Sequence, residues 1–536
     1  MDAYEIHYGT SGFRFTIDDP KTLKSWNQDT GIVNLEDLPP FIIYRCGIAL
    51  AIIANSNIDT NNSKNKFIGT VITASHNPYK DNGIKMFGSD GYLINEFWEN
   101  ELEKLVNCRT DFQQYLFDNM EKYNIRCSKD DSERVILIGR DNRESGSEIV
   151  KILISGIYYG EKVFGKVKFI DMGIICTATL AWCVRFAKVD QEDYYKNLSN
   201  NWDLLITNIK QTHINNNLDR GILIIDTAQG SFSTKTEFLK NSLIKLGIST
   251  QFYHCDHLKP INDECGSNYV MSKKLPREIL NKINILRGYR CVSFDGDADR
   301  LIYYIADDLP KIADGDYILC LIIKCIANIL SNYNTDELTI GIAQTQYSNI
   351  SSTNFIFDIF DKLPINIKCR HIYTECGVKH LKRAINGFDI AILYESNGHG
   401  ELIVNTANVP SELFYLSNIS NIAMGDSVSN CLMVEACLCM LNLSIDEWLE
   451  FYKPIPFILS QLPLDNIYRN NFMNLLPKIV RYGNHIFSGH HKSRFLIRLS
   501  GTESCIRVFV ESNNCVELSR QLEDMIRQTI ANICYL

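Results

Sequence analysis

Along most of the chain, short runs of β-branched residues alternate with longer segments of helical period. RVILIGRD (Arg134 to Asp141) precedes SGSEIVKILISGIYYG, and RGILIIDTAQG (Arg220 to Gly230) precedes TKTEFLKNSLIKLG. The recurring unit is strand, loop, helix, which predicts α/β layers. Two longer apolar stretches, FIIYRCGIALAIIAN and YILCLIIKCIANIL, carry Arg45 and Lys324 and are too short to cross a bilayer, so they read as core helices. The Asn-rich stretch NSNIDTNNSKNK (Asn55 to Lys66) reads as a surface loop. The pattern changes over the last eighty or so residues. There Pro454, Pro456 and Pro463 mark a linker before KSRFLIRLSGTESCIRVFVE, and a closing helix is expected around VELSRQLEDMIRQTIANI. This region reads as a smaller, separate α+β domain.

Length and composition sharpen the picture. At ~100–200 residues per domain, 536 residues make roughly three to five domains. The 54 Lys and Arg against 63 Asp and Glu leave a net charge of −9, which argues against a nucleic-acid partner and requires any bound anion to meet a local positive site. The 18 cysteines fall in apolar segments such as CLMVEACLCM and form no C-x-x-C pair. That predicts buried, reduced thiols in a cytoplasmic protein rather than a disulfide framework or a zinc site. The opening MDAYEIHYGTSGFRF has no basic region followed by an apolar core, so no signal peptide is expected.

Four stretches carry candidate chemistry. TVITASHNPYKDNGIKMF (Thr70 to Phe87) sets Ser75, His76 and Asn77 before a proline, after a short apolar run. Taken alone it is a polar turn leaving a strand; adjacency does not make Ser75 and His76 a nucleophile and its base, and no G-x-S-x-G elbow frames the serine. In CVSFDGDADRLIYYIA, Asp295, Asp297 and Asp299 alternate on a loop between two apolar runs that read as strands. Carboxylates this close need a cation or raised pKa values. An EF-hand is excluded, because Arg300 stands at the sixth loop position and Ala306 at the twelfth. Mg²⁺ held by few protein oxygens, with a phosphate oxygen completing its shell, fits better than aspartates capping a solvated turn.

In RLSGTESCIRVFVE, Ser500 and Glu503 have capping-box spacing, yet the residues that follow alternate as a strand. What remains is a turn of Ser500, Gly501 and Thr502 flanked by Arg498 and Arg507, which reads as a phosphate cradle or as a plain hairpin turn. In LYESNGHGELIV, Glu395, Ser396, Asn397 and His399 crowd around glycines, a set of donors and acceptors suited to sugar hydroxyls. A serine, a metal loop, an anion cradle and a polyol reader together point to phosphoryl transfer, where positioning and charge neutralisation carry most of the acceleration.

These stretches, with YGTSGFR, GRDNRESG, DTAQG, NDECGSNYV, QTQYSN and GVKHL, occur in the order in which an α-D-phosphohexomutase carries them, and the chain resembles that family over nearly its whole length. GVKHL, ESNGHG and NDECGSNYV favour the acetylglucosamine branch over the glucose and mannose branches. The resemblance implies an α/β fold of four domains around a central cleft. Three are α/β, at 1–182, 183–305 and 306–453, and a smaller α+β domain covers 454–536. It implies that Ser75 is carried as phosphoserine, with its phosphate on one Mg²⁺ per chain held by Asp295, Asp297 and Asp299, and that Arg14 and Lys85 serve the transfer centre. Arg300, Glu395, Asn397 and His399 would meet the sugar, and Arg498, Ser500, Gly501, Thr502 and Arg507 the phosphate that does not react. Lys85, His76 and His399 are the candidates for moving the hydroxyl proton.

The implied reaction interconverts N-acetylglucosamine 6-phosphate and 1-phosphate through a sugar 1,6-bisphosphate, a step toward UDP-N-acetylglucosamine. The implied partner is a small sugar phosphate, with neither nucleic acid nor membrane. Leu499 replaces a usual proline, Ser396 a usual alanine, and CTATLAW a Thr-Thr-Pro segment; none removes a group the implied site depends on. The alternatives are a phosphoglucomutase or phosphomannomutase, a metal-dependent phosphatase, and a non-catalytic sugar-phosphate binder.

Overall fold

The computed structural model describes residues 7–9, 12–20, 23, 38–56, 66–108, 111–123, 134–212, 220–331, 333, 337–490, 492–499 and 505–534. The strands fall into four sheets, taken up one after another along the chain. The first contains β1 (Phe13–Thr16), β2 (Phe67–Ile72), β3 (Asp81–Phe87), β4 (Val135–Arg140) and β5 (Lys168–Ile174), in the order β1-β3-β2-β4-β5. The second contains β6 (Ile222–Asp226), β7 (Ser249–Tyr253), β8 (Arg290–Phe294), β9 (Leu301–Ile305) and β10 (Lys311–Ala313), in the order β10-β9-β8-β6-β7. The third contains β11 (Leu338–Thr345), β12 (Ile367–Thr374), β13 (Ile390–Tyr394) and β14 (Gly400–Val404), in the order β12-β11-β13-β14. The fourth is the antiparallel set β15 (Phe457–Pro463), β17 (Cys505–Glu511) and β16 (Arg494–Leu499).

The alternation read from the sequence is the alternation found. RVILIGRD supplies β4, which pairs in parallel with β2 and β5, and SGSEIVKILISGIYYG supplies the helix Gly146–Phe164. Strands covered on both faces read as unbroken apolar runs, and β4 is buried from Val135 to Gly139. The helices Leu38–Asn55 and Gly146–Phe164 cross closely, since a Cβ on Gly47 would stand 2.0 Å from Leu153 O and one on Gly156 2.0 Å from Tyr44 O. Asp314 starts the helix Gly315–Leu330 by accepting from Asp316 N–H at 3.1 Å and Tyr317 N–H at 3.3 Å. One apolar core runs through a face of each of the first three sheets, joining Leu137, Val292 and Ile342, while the fourth sheet has its own core of Leu462, Ile506, Val508 and Leu522. The architecture is therefore α/β with a smaller C-terminal α+β unit. Among the described residues no helix is long and apolar enough to cross a membrane.

Four local readings change. The helix Thr177–Arg185 runs through the boundary expected at 182, and β10, beyond residue 305, pairs with β9 of the second sheet. Pro463 closes β15 instead of lying in a linker, because an outer strand of a three-stranded sheet tolerates the missing N–H. Asn55 belongs to a helix and is buried, donating to Ala51 O at 2.9 Å and Gly165 O at 3.2 Å; residues 57–65 of the Asn-rich stretch lie outside the described residues.

Candidate active site

The buried strand β2 ends at Ile72, and the chain turns through Thr73–Pro78 before returning antiparallel as β3. At the turn Ser75 is 2% exposed and adopts φ +51°, a left-handed conformation that costs a non-glycine residue of the order of 1–3 kcal/mol. Neighbours hold it there. Thr73 Oγ1 accepts from Ser75 N–H at 2.9 Å. Asn262 Nδ2 donates to Ser75 O at 2.7 Å and Asn77 O at 3.0 Å, and Arg143 Nη2 donates to the same carbonyls at 3.3 and 2.7 Å. Arg143 is itself ion-paired with buried Asp141. These two clamps come from the GRDNRESG and NDECGSNYV stretches, which are 68 and 187 residues away in sequence, so no local pattern announces the contact.

Ser75 Oγ donates to Asp297 Oδ2 at 3.3 Å. The three aspartates lie on the tight connection between antiparallel β8 and β9, where Asp295 Oδ1 accepts from Asp299 N–H at 3.0 Å and Arg300 N–H at 3.1 Å. All three are buried, and one ligand oxygen from each falls within 4.8 Å of the others. Lys85 of β3 reaches Asp297 Oδ2 at 2.6 Å and Asp299 Oδ2 at 2.8 Å, and Thr177 Oγ1 donates to Asp297 Oδ2 at 2.6 Å. Thr177 is the second residue of the CTATLAW stretch, and the sequence reading missed its place here. Arg14 joins by register: it pairs with Gly83, which puts it on the face of the sheet that carries Lys85, and a Cβ at Gly83 would stand 2.6 Å from Arg14 Nη1.

The electrostatics follow from burial and crowding. Burial, then Asp299 and Asp297, hold the Asp295 carboxyl well above the ordinary carboxylate range. Burial pulls Asp299 the same way, but Lys85 and Arg300 outweigh it and keep that carboxyl far below. For Lys85 burial alone would favour the neutral amine; Asp297 and Asp299 outweigh it and raise the pKa. Lysine therefore meets part of the need for a cation that the sequence posed. Part is left over: among the described residues, nothing hydrogen-bonds to Asp295 Oδ2, Asp297 Oδ1 or Asp299 Oδ1. Three buried carboxylates that cluster within reach of one ion, each with an oxygen lacking a donor, are a hard donor set that fits Mg²⁺. A second cluster, Asp226, His254 and Cys265, differs. Asp226 accepts from Ala228 N–H, Gly266 N–H and Ser293 Oγ, and His254 Nε2 accepts from Glu278 N–H at 3.1 Å, so that cluster ties loops together.

His76 Nδ1 lies 2.7 Å from Arg300 Nη1. A guanidinium only donates, so Nδ1 is the acceptor and the neutral ring carries its proton on Nε2. Burial and Arg300 push the His76 pKa down to about 3. Arg300 also sits 3.6 Å from Asp299 Oδ1 and feels the Glu395 carboxylate, so it stands between the aspartates and the sugar loop.

The ESNGHG stretch forms the turn between β13 and β14. Gly398, at φ +89°, packs against β9, where a Cβ would meet Leu301 O at 1.9 Å. Glu395 Oε1 accepts from Gly377 N–H at 3.1 Å and Oε2 from Asn397 Nδ2 at 3.2 Å, which fixes both side chains. His399 is buried against Gly425 rather than facing the cleft. Glu395, Ser396 and Asn397 line a cleft of about 680 Å³ together with Tyr8, Asn268, Tyr347, Cys376, Lys379, Arg498 and Arg507, so all four sheet units contribute. Arg498 of β16 and Arg507 of β17 are direct cross-strand partners. Like charges placed opposite destabilise a sheet, and an anion between them removes the penalty. Arg498 Nε donates to Tyr347 OH at 2.7 Å. Ser500, Gly501 and Thr502 lie outside the described residues.

A model of phosphoacetylglucosamine mutase AMG1, domain III, matches residues 314–443, and one of phosphoglucomutase/phosphomannomutase, alpha/beta/alpha domain I, matches residues 53–114. The chain is 29% identical to the phosphoacetylglucosamine mutase of Arabidopsis thaliana over 554 aligned residues, covering 95% of this chain and 92% of that protein. It superposes with a TM-score of 0.77 and 25% identity on Aspergillus fumigatus N-acetylphosphoglucosamine mutase in complex with GlcNAc-6P and magnesium, covering 98% and 96% of the two chains. It superposes with a TM-score of 0.78 and 26% identity on the substrate complex of an N-acetylglucosamine-phosphate mutase of the α-D-phosphohexomutase superfamily, covering 98% and 97%. Along nearly its whole length the chain is similar to members of the α-D-phosphohexomutase superfamily, a class of phosphotransferase isomerases. Within it, the proteins that this chain is similar to along nearly its full length are phosphoacetylglucosamine mutases.

Proposed function

We propose that this protein interconverts N-acetylglucosamine 6-phosphate and N-acetylglucosamine 1-phosphate, supplying the 1-phosphate for UDP-N-acetylglucosamine. The observation that carries the reading is Ser75 Oγ at 3.3 Å from a buried aspartate triad that, among the described residues, keeps three oxygens without donors. Asp295, Asp297 and Asp299 would hold one Mg²⁺, which would neutralise charge on the transferring phosphoryl group. Ser75 is the phosphoryl carrier. Its P–O bond breaks as the C1 hydroxyl of the 6-phosphate takes the phosphoryl group and gives up its proton, which forms a sugar 1,6-bisphosphate. After the bisphosphate turns over, Ser75 Oγ accepts the 6-phosphoryl group, the C6 oxygen regains a proton, and the 1-phosphate leaves. Catalytic amounts of the bisphosphate keep Ser75 phosphorylated.

Arg14 and Lys85 keep positive charge beside the transferring group, and His76, neutral and fixed by Arg300, presents its Nε2 proton. Arg300, Glu395 and Asn397 orient the sugar. Arg498 and Arg507, with Ser500, Gly501 and Thr502, hold the phosphate that does not react, at C6 in one half-reaction and at C1 in the other. The four sheet units act as four domains around the cleft, with the first boundary beyond Arg185 and the second beyond Ala313. A cytoplasmic setting suits the described cysteines, which are free and, apart from Cys255, Cys369 and Cys376, buried.

The test is phosphopeptide mapping after incubation with sugar bisphosphate, alongside kinetics of Ser75→Ala. Phosphate on Ser75, loss of nearly all turnover in the variant, and higher kcat/KM with N-acetylglucosamine 6-phosphate than with glucose 6-phosphate are expected. Near-normal turnover by Ser75→Ala would overturn the mechanism.

A further inference from the structure

The loop that carries Glu395 and Asn397 is fastened at one point to the start of the helix Gly315–Leu330. Gly315 N–H donates to Ser396 O at 3.1 Å, and Ser396 Oγ donates to Asp316 Oδ2 at 3.1 Å. The contact is so close that a Cβ on Gly315 would stand 1.9 Å from Glu395 O. Asp316 is 1% exposed. Its Oδ1 accepts from Gln344 Nε2 at 2.9 Å, and its Oδ2 accepts a second bond from Asn349 N–H at 2.8 Å.

Asn349 belongs to a segment that joins the third sheet unit to the fourth. Its side chain makes a reciprocal pair with Ile455, Nδ2 donating to Ile455 O at 2.9 Å and Oδ1 accepting from Ile455 N–H at 3.2 Å. Tyr347 OH accepts from Arg498 Nε at 2.7 Å, Ser348 O accepts from Arg494 of β16, and Ile350 N–H donates to Glu511 of β17 at 3.1 Å. Four consecutive residues thus grip the unit that carries the arginine pair, and the backbone amide of one of them shares a carboxylate oxygen with the sugar loop.

We infer that Asp316 is a positioning residue that couples the sugar loop to the arginine cradle. A buried carboxylate that loses a donor pays its full desolvation cost, so Ser396, Asp316 and Asn349 move as one group. A displacement of loop 395–398 therefore shifts segment 347–350, and with it Arg498. The inference rests on the assignment of that loop to the sugar and of Arg498 and Arg507 to the distal phosphate. It adds a reason for the serine at 396: its hydroxyl is the link.

The test uses Ser396→Ala, Ser396→Thr and Asp316→Asn in the full chain. Hydrogen exchange without ligand is read first. Ser396→Ala should speed exchange about threefold or more at Asn349, Ile350 and Ile455, with Ser396→Thr near the parent; a change confined to residues 394–400 would overturn the coupling. A double-mutant cycle with Arg498→Ala is read second, in kcat and KM for N-acetylglucosamine 6-phosphate. Ser396→Ala should raise KM more than it lowers kcat, and its effect on kcat/KM should shrink about threefold or more in the Arg498→Ala and in the Asp316→Asn backgrounds. Fold-losses that simply multiply would overturn it. If the parent turns over no sugar phosphate, the functional reading fails, and the exchange experiment, which needs no substrate, still decides the coupling.

Discussion

Lys85→Met keeps the length and the apolar stem of the side chain and removes the ammonium that stands 2.6 Å from Asp297 and 2.8 Å from Asp299. Lys85 is 1% exposed, Asp297 0% and Asp299 4%, so water cannot take over the lost contacts. Removing one partner of a buried ion pair costs about 3–5 kcal/mol. At about 2–4 °C per kcal/mol for a unit of 150–250 residues, the transition in which this contact breaks should fall by roughly 6–20 °C. Mg²⁺ meets the same charge deficit, and at a hundred times its Kd it returns about 2.7 kcal/mol, most of the loss at the lower end of that range. Differential scanning calorimetry of parent and variant, in EDTA and in Mg²⁺, measures both quantities. The expected result is a large drop in EDTA, and a rise on adding Mg²⁺ that is greater in Lys85→Met than in the parent. A variant as stable as the parent in EDTA would refute the dependence of the triad on Lys85. A rise no greater than the parent's would show that the lysine and the metal do not answer the same charge.

Thr177→Val removes the 2.6 Å bond to Asp297 at nearly constant volume, so Mg²⁺ affinity measured by calorimetry should change while the fold, read by circular dichroism, stays intact. Arg498→Ala and Arg507→Ala should each lower kcat/KM roughly 10- to 150-fold in both directions of the reaction, from about 1.5–3 kcal/mol of charge-assisted bonding to the distal phosphate, as steady-state assays from each substrate would show. Burial, with Arg494 adding to it, pushes the His371 pKa down to about 4. The unfolded chain takes up this proton near the ordinary value of about 6.5, so the neutral ring's contribution is complete above that pH and is lost as pH falls toward about 4. Urea midpoints of His371→Gln should therefore vary less between pH 7 and pH 5 than those of the parent.

The layered fold was legible because its strands are covered on both faces and its helices keep one period. Ser75, the aspartates, Glu395 and Asn397 could be picked out as candidates, because turn chemistry and alternating carboxylates are local signals. Thr177, Asn262, Arg143, Tyr347 and Asp316 were not, since their contacts are set by how sheets meet: Thr177 reaches Asp297 across 120 residues, and Tyr347 reaches Arg498 across 151. Pro463 misled for a related reason, since a proline reads as a break until the outer position of its strand is known. His399 was placed with the sugar readers on its neighbours' account, whereas its ring packs against Gly425.

The mechanism requires that Ser75 give a phosphoryl group to C1 of the sugar and take one back from C6. Phosphorus NMR of the purified protein with N-acetylglucosamine 6-phosphate, Mg²⁺ and a trace of sugar 1,6-bisphosphate tests it most directly. The 1-phosphate signal should grow at the expense of the 6-phosphate to a fixed ratio, with total sugar phosphate conserved. Growth of the inorganic phosphate signal in its place would contradict the mechanism.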